Sequence, residues 1–165
     1  MSRNRRRHAR TVVGAVSAGM LAVAAVSGCG AGFSAETNHV TGSVNGQDVV
    51  ANNILVRNAY VRGPANVGEQ TEIYMFLINR GGDVDRLSQI KTNFATSVDI
   101  GGDATLTPGV PVSYQPDSPA KITARGLTTP LVLGAFEQAT LVFDRAGSVS
   151  IDLPVQTLQQ AQNQP

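Results

Sequence analysis

A single cysteine occurs in this 165-residue chain, and its neighbours suggest what the thiol is for. Val26, Ser27 and Gly28 precede Cys29, so an aliphatic residue and two small ones lead into the thiol. This order is the pattern of a bacterial lipobox. In that motif the thiol, acting as a nucleophile, takes a diacylglyceryl group as a thioether. A peptidase then cuts before the modified cysteine, where only small side chains fit beside the scissile bond. The spacing predicts lipidation at Cys29 and cleavage before it.

The residues before the lipobox are those of an export signal. Residues 2–10 are basic, and residues 12–26 are apolar, small and uncharged, which is too short a run for a membrane span. Two other interpretations compete with lipidation. In one, Cys29 is an ordinary cysteine after a conventional cleavage site; in the other, the leader is not cleaved and serves as the anchor. An unmodified lone thiol in an exported protein would be prone to oxidation, which favours lipidation. The residues after the arginine run are His8 and Ala9, which favours general secretion over the twin-arginine route.

The charge is divided by position. Five of the 13 basic residues lie in the leader, so the rest of the chain has 8 basic against 12 acidic residues, a net charge of −4. A chain with this net negative charge lacks the basic surface that binds nucleic acid, and anionic lipid headgroups would repel it weakly. Membrane attachment is therefore expected to come from the acyl chains on Cys29, at the outer face of the cytoplasmic membrane.

Composition divides the mature chain into three parts. Residues 29–48 are small, polar and Gly-rich, as in a flexible linker, and residues 156–165 form a Gln-rich tail predicted to be disordered. Residues 49–155 remain for one domain. No segment has the period of an amphipathic helix.

Short strands and frequent turns characterise that domain. Residues 54–62, 86–90, 96–100 and 121–124 are predicted strands, and the continuous apolar run 73–78 is predicted to be a central one. Residues 138–144 and 148–155 alternate around a Gly-containing hairpin, with Pro154 facing outward. Their inward sets are Ala139, Leu141 and Phe143, and Val149, Ile151, Leu153 and Val155. Residues 107–119 hold four prolines and are predicted to be loop. The prediction is an all-β protein, an antiparallel β-sandwich with a cupredoxin- or immunoglobulin-like Greek key.

Scattered residues over about 54–155 resemble the PCu(A)C periplasmic copper chaperones. They are Ala59-Tyr60-Val61-Arg62, Tyr74, Asn79, Asp85-Arg86-Leu87, Gly126-Leu127, Pro130-Leu131, Phe143 and Leu153-Pro154-Val155. Among relatives of these chaperones, the chain is most similar to the actinobacterial LpqE-type lipoproteins. Their lipobox leader is followed by the same Ser-Gly-Cys-Gly-Ala-Gly run as residues 27–32, and they have the Ala146-Gly147 pair. The resemblance implies a cupredoxin-like sandwich.

The copper motif of the chaperones does not carry over. Their first His falls near Gly101, and their His-x-Met falls on Lys121 and Thr123. Beyond Cys29 the chain has one methionine, Met75, and one histidine, His39. Cu(I) needs several converging thioether or imidazole donors, so we expect no metal site and no cofactor. Met75 is predicted to fill the core and His39 to be solvated in the linker.

Other chemistry has few residues to use. No catalytic residue is predicted, because a Ser/His/Asp arrangement would depend on His39, and Gly81-Gly82 and Gly101-Gly102 suit turns better than phosphate loops. A weak Ca²⁺ site remains an alternative, although no 12-residue ligand loop is present. Its candidate ligands are Asp83, Asp85, Asp99 and Asp103. A ligand groove is a further alternative, with Tyr60, Tyr74 and Tyr114 as its lining.

The sequence therefore favours a non-enzymatic lipoprotein of the cell envelope. Its sandwich would act as a binding or accessory module for another envelope component. A metal-handling protein with altered ligands is the first alternative. A carrier of an apolar ligand or lipid between the sheets is the second.

Overall fold

Ten strands and one short helix follow one another along residues 46–162, the part of the chain that the computed structural model describes. They are β1 (Gln47–Ala51), β2 (Ile54–Arg62), β3 (Gln70–Asn79), β4 (Asp85–Thr92), β5 (Ala95–Ile100), β6 (Thr105–Leu106), β7 (Pro111–Tyr114), β8 (Ile122–Leu127), β9 (Phe136–Phe143), β10 (Gly147–Gln156) and α1 (Leu158–Gln162).

The strands form a curled sheet whose two halves face each other. Its order is β5-β8-β3-β2-β10-β9-β4-β6, with β1 added beside β2 and β7 beside β3. Neighbours pair antiparallel except at one junction, where Val155 and Gln156 of β10 run parallel to Val61 and Arg62 of β2. The predicted all-β sandwich is confirmed, but the sheet is mixed and not wholly antiparallel. The parallel pair arises where the end of β10 joins the two halves of the sheet.

The core lies between the two halves, and both contribute apolar side chains to it. The first half supplies Val56, Met75 and Leu77, which are each fully buried. The second half supplies Leu141 and Leu153 to the same cluster. At about 1.5–3 kcal/mol for each fully buried large apolar side chain, this cluster is the main stabilising feature of the fold.

The alternation read from the sequence matches the burial of the last hairpin. The inward residues predicted for β9 are buried, as are Ile151, Leu153 and Val155 of β10, whereas Val149 is only half-buried against the core. Pro154 differs from the prediction because it too is buried. It pairs with Phe136 at the end of β9, where β10 turns toward β2 and both of its faces are covered.

The central apolar run forms β3, as predicted, with β2 on one side and β7 and β8 on the other. The segment 107–119 was expected to be loop, but it contains β7, which pairs along β3 from Met75↔Tyr114 to Ile78↔Pro111. Pro111 is tolerated because it is the first residue of that strand.

Both ends of the described region differ from the sequence expectation. β1 begins at Gln47, inside the segment assigned to the linker, and it pairs with β2. At the other end, α1 lies within the tail predicted to be disordered. Thr157 and Gln160 form a reciprocal cap for this helix: Gln160 N–H donates to Thr157 Oγ1 at 3.2 Å, and Thr157 N–H donates to Gln160 Oε1 at 3.0 Å. The ordered elements therefore span more than residues 49–155.

Strand β2 changes face at Asn58. The register with β3 shifts between Arg57 and Tyr60, and Asn58 has a φ of 50°. This bulge turns Ala59 and Val61 toward the core in place of Tyr60. Asn58 N–H donates to Asp48 Oδ1 at 2.9 Å, which fixes β1 against the bulge.

Candidate functional site

The lipobox lies outside the described residues. Val26, Ser27, Gly28 and Cys29 all precede Gly46, so their predicted roles remain a proposal, and His39 lies in the same unassigned part. Gly46 itself packs against the bulge of β2: a Cβ there would lie 2.5 Å from the Asn58 carbonyl carbon, so no side chain fits. Within residues 46–162, no helix is long and apolar enough to cross a bilayer.

The fold brings together the three positions where the resemblance places copper ligands. Gly101 N–H donates to the Lys121 carbonyl at 2.7 Å, and Thr123 lies two residues further along, opposite Asp99 of β5. The side chains present are a hydrogen, an ammonium and a hydroxyl. Cu(I) prefers thioether, thiolate and imidazole donors, so this set does not fit the metal.

The ammonium of Lys121 is held by its own loop. Its Nζ donates to the carbonyl oxygen of Gln115 at 3.3 Å and to that of Pro116. A fixed positive charge therefore stands where the chaperones have a ligand. Gly101 is also closely packed, because a Cβ there would lie 3.0 Å from the Lys121 carbonyl oxygen. Restoring an imidazole at residue 101 would require the start of β8 to move.

Polar side chains continue from this point across the outer face of the sheet. Thr123 lies between Asp99 and Glu72 on the neighbouring strands, and Glu72 Oε2 approaches the guanidinium of Arg62 to 3.6 Å. Arg125 pairs with Asp99 and donates to Gln70 Oε1 at 2.7 Å. We call this surface the polar face; its residues are Arg62, Gln70, Glu72, Asp99, Thr123 and Arg125. An open cleft of about 350 Å³ lies over part of it.

Two tyrosines pack beside the polar face without offering reactive groups. The rings of Tyr60 and Tyr74 lie 4.9 Å apart, and Tyr74 donates its hydroxyl proton to Glu72. Burial, with a smaller effect of the Glu72 charge, raises the pKa of Tyr60 to about 12. Burial, followed by the hydrogen bond to Glu72, raises the pKa of Tyr74 as well. Both hydroxyls stay protonated at neutral pH, so neither is a ready base.

The remaining candidates for a ligand groove or a soft metal site are inside the protein. Tyr114 belongs to the core cluster and is fully buried, as is Met75. The prediction that Met75 fills the core is therefore confirmed. The three tyrosines line no common groove, because Tyr114 faces the core while Tyr60 and Tyr74 lie outside that cluster.

The four aspartates proposed as Ca²⁺ ligands are each engaged elsewhere. Asp83 pairs with Arg145, Asp99 pairs with Arg125, and Asp103 accepts the Thr105 N–H at 3.0 Å. The hydrogen bonds from Thr105 lower the pKa of Asp103. No group of three or more metal-capable His, Cys, Asp or Glu side chains is found in the described part of the chain.

Asp85 has a structural role that its position in a turn did not predict. It is only 6% exposed, and its carboxylate accepts the backbone N–H groups of Arg86, Arg145 and Ala146 at 2.7, 2.9 and 2.9 Å. The carboxylate therefore joins the start of β4 to the β9–β10 hairpin. Buried Asn79, at the end of β3, donates to the carbonyls of Asp83 and Leu106 and so joins β3 to the next turn and to β6.

Asn79 and Asp85 help to line an open cleft of about 210 Å³ at one end of the sandwich. We call this the polar end; it is formed by the Asn52-Asn53 turn, residues 80–84 and residues 144–146. Nothing in the sequence pattern pointed to this cleft, because its three parts are separated by about 30 to 90 positions in the sequence. The resemblance did include Asn79 and Asp85, and their buried hydrogen bonds give the physical reason.

The curled β-sandwich, with non-ligating residues at the copper positions, defines a copper-chaperone-like domain that has a different surface chemistry. Solved structures agree on the fold. The chain matches an apo PCuAC domain from PmoF1 with a TM-score of 0.63 and 25% identity, covering 67% of this chain and 99% of that one. It matches a copper-bound PCuAC domain from PmoF2 with a TM-score of 0.62 and 25% identity, covering 67% and 98%.

The chain belongs to the LpqE-like family, whose model, described as "Putative lipoprotein LpqE-like", matches residues 54–155. It is 31% identical over 154 residues to the LpqE lipoproteins of Mycobacterium bovis and of Mycobacterium tuberculosis, covering 82% of this chain and 84% of theirs. The resemblance to the LpqE-type lipoproteins is therefore confirmed. Lipoprotein relatives also make an exported, membrane-anchored protein the expected class.

Proposed function

We propose that this chain is a non-enzymatic lipoprotein, anchored through Cys29 to the outer face of the cytoplasmic membrane, whose sandwich binds another envelope component. Its relatives are described as "Putative lipoprotein LpqE", and the sequence before the domain has the order of leader, lipobox and linker that lipidation requires. The function of the domain then lies in binding, and its surface indicates where.

The position of the Lys121 ammonium is the observation that carries the proposal. Its ammonium stands at a copper-ligand position of the related chaperones and is held by two backbone carbonyls. A cation fixed there disfavours a second cation. Residues 46–162 also contain neither His nor Cys, the side chains that most often act as metal ligands, bases or nucleophiles. This composition supports binding over catalysis.

The polar face is the surface that we assign to the partner. Arg62, Arg125, Glu72 and Asp99 present both signs of charge on neighbouring strands, which suits a polar protein surface of mixed charge. These exposed pairs add little to stability, so the domain can exchange them for contacts with a partner. A carried apolar ligand is less well supported, because Phe94, Leu77 and Leu141 fill the space between the halves and are fully buried.

Photo-crosslinking in membranes tests the binding proposal. A photoreactive residue at Thr123 should capture a discrete envelope protein, whereas the same residue at Ser150, exposed on β10 of the other half, should not. Equal capture at both positions would contradict the assignment of the polar face. Hydrolytic or group-transfer activity of the purified chain would contradict the non-enzymatic role.

Copper titration tests the metal-handling alternative directly. The chain from Cys29 onward, with its thiol blocked, should not compete with a chromophoric Cu(I) chelator. The Lys121→His, Thr123→Met double variant is the matched control and should bind more Cu(I), since it places an imidazole just before β8 and a thioether on it. Stoichiometric sub-micromolar binding by the unmodified sequence would replace our proposal with the metal-handling one.

A further inference from the structure

The end of the sandwich opposite the polar end is apolar and almost uncharged. It consists of residues 63–69 and 128–136, which we call the apolar tip. Among these 16 residues only Glu69 is charged, and its carboxylate accepts the Asn66 N–H at 2.7 Å. Four large apolar side chains are exposed there: Val67 (60%), Val132 (61%), Leu133 (42%) and Phe136 (52%). Adjacent apolar side chains on a tip mark an interaction surface more often than scattered ones do.

The tip is a well-ordered part of the fold. Gly63 N–H donates to the Gln156 carbonyl at 2.9 Å, and Ala65 and Leu131 exchange backbone hydrogen bonds of 3.3 and 2.8 Å. Gly134 N–H donates to the Val155 carbonyl at 3.0 Å. These bonds hold the two loops side by side and form an apolar groove of about 460 Å³ between Pro64, Leu131 and Leu133. The exposed side chains are thus presented by a fixed frame.

The direction of β1 points the N-terminal side of the described domain toward the tip. β1 runs antiparallel to β2, with Gln47 opposite Ala59 and Ala51 opposite Ile54. Going backward from Gln47, the chain therefore heads toward Arg62, where β2 enters the tip. The Asn52-Asn53 turn of the polar end lies in the opposite direction.

The tether between Cys29 and Gly46 is short compared with the domain. Gly46 lies 17 positions after Cys29, and a Gly-rich chain of that length has an end-to-end distance of about 20–25 Å. Gln47 lies opposite Ala59, three residues from the tip end of β2 and five from its Ile54 end, so the tip is nearer to the start of the domain by about two residues, roughly 7 Å.

We propose that the apolar tip rests on the lipid bilayer, with Val67, Val132, Leu133 and Phe136 entering the interface while the polar end points away. This inference rests on the lipid anchor of the proposed function. The contact is apolar because the mature chain is acidic and the tip has no basic residue that could bind anionic headgroups. It orients the domain so that its polar end stays accessible to partners.

Tryptophan reporters test the orientation, since the chain has no Trp of its own. The chain from Cys29 to Pro165 is coupled through the Cys29 thiol to a maleimide lipid in phosphatidylcholine vesicles with brominated acyl chains. Val132→Trp should lose about half of its emission or more and shift to shorter wavelength, because side chains 5–10 Å deep reach the acyl chains. Val110→Trp, at a loop valine of similar exposure (53%) that lies next to the polar end, should do neither. High salt should leave the difference unchanged.

A second pair of reporters guards against a local folding defect. Val67→Trp should behave like Val132→Trp, and Val84→Trp, also exposed at the polar end, should behave like Val110→Trp. Adding Val132→Asp to the Val67→Trp chain should reduce its quenching. Because the maleimide supplies the anchor, these results do not depend on lipidation in the cell or on any partner of the polar face.

Three results would overturn the proposal. They are quenching at neither tip position, equal quenching at tip and polar-end positions, and a concentration-dependent blue shift of the tip reporters without vesicles. The last result would assign the tip to a second copy of the chain.

Discussion

Replacing Asp85 by alanine should unfold this domain much more easily than its turn position suggests. The carboxylate is buried and accepts three backbone N–H groups, two of them from residues about 60 positions further along the chain. Its removal leaves the N–H groups of Arg145 and Ala146 without an acceptor in a partly buried place. The β9–β10 hairpin would then lose two of the hydrogen bonds that attach it to β4, while the bond from Asp144 N–H to the Arg86 carbonyl at 3.0 Å would remain.

The cost can be worked from these bonds. A hydrogen bond to a charged group contributes about 1.5–3 kcal/mol, and two long-range bonds are lost, partly replaced by water. We expect Asp85→Ala to lower the free energy of unfolding by about 3–4 kcal/mol, a large share of a typical 5–15 kcal/mol. In urea the midpoint would fall by about 2 M, at the slope expected for a domain of this size.

Two variants make this measurement decisive. Asp85→Asn keeps one acceptor but turns an amide donor toward a backbone N–H, so we expect it to lose nearly as much stability as the alanine variant. Asp83→Ala removes the exposed Asp83–Arg145 pair two residues away and should cost less than about 0.5 kcal/mol. If Asp85→Ala and Asp83→Ala had the same urea midpoint, the role assigned to the buried carboxylate would be wrong.

Three further predictions follow from the same contacts. Asn79→Ala should cost about 2–3 kcal/mol in urea unfolding, because Asn79 is buried and its amide nitrogen donates to two carbonyls at 2.8 Å. Absorbance at 295 nm should show little tyrosine ionisation until the pH approaches the raised pKa of Tyr60, about 12. Because this folded-state pKa exceeds the unfolded value, the free energy of unfolding should be unaffected below about pH 10. It should fall as the pH rises toward 12. Cys29→Ser should abolish acyl incorporation, measured by mass spectrometry, and release the protein from the membrane fraction.

The strands that could be predicted from sequence are those whose side-chain pattern alone determines their faces. β9 and β10 alternate strictly and are joined by a Gly-containing hairpin, and β3 is a continuous apolar run. The strands missed are short or carry misleading residues. β7 begins with proline, β6 has two residues, and β1 begins in a Gly-rich stretch. Their pairing depends on partners distant in sequence, which no local pattern records.

The sequence contains a capping signal for helix α1, but the composition around it favours disorder. Thr157 and Gln160 have the spacing of a capping box, yet the Gln-rich composition around them favoured disorder. The polar end was harder to predict. Asp85 and Arg145 meet only because β4 pairs with β9 and the hairpin turns back over it, so the cleft exists only in the tertiary structure.

The fold does not depend on having copper ligands at these positions, and the structure shows why. On β8, Ile122 and Ala124 face inward and are fully buried, whereas Thr123 and Arg125 face outward. The ligand position at Thr123 therefore alternates with the core positions and does not coincide with them. Replacing a soft donor there changes no buried apolar contact, so it has little effect on folding. The inward residues thus explain why the fold could be recognised from the sequence, and the outward residues explain why the copper function does not follow from it.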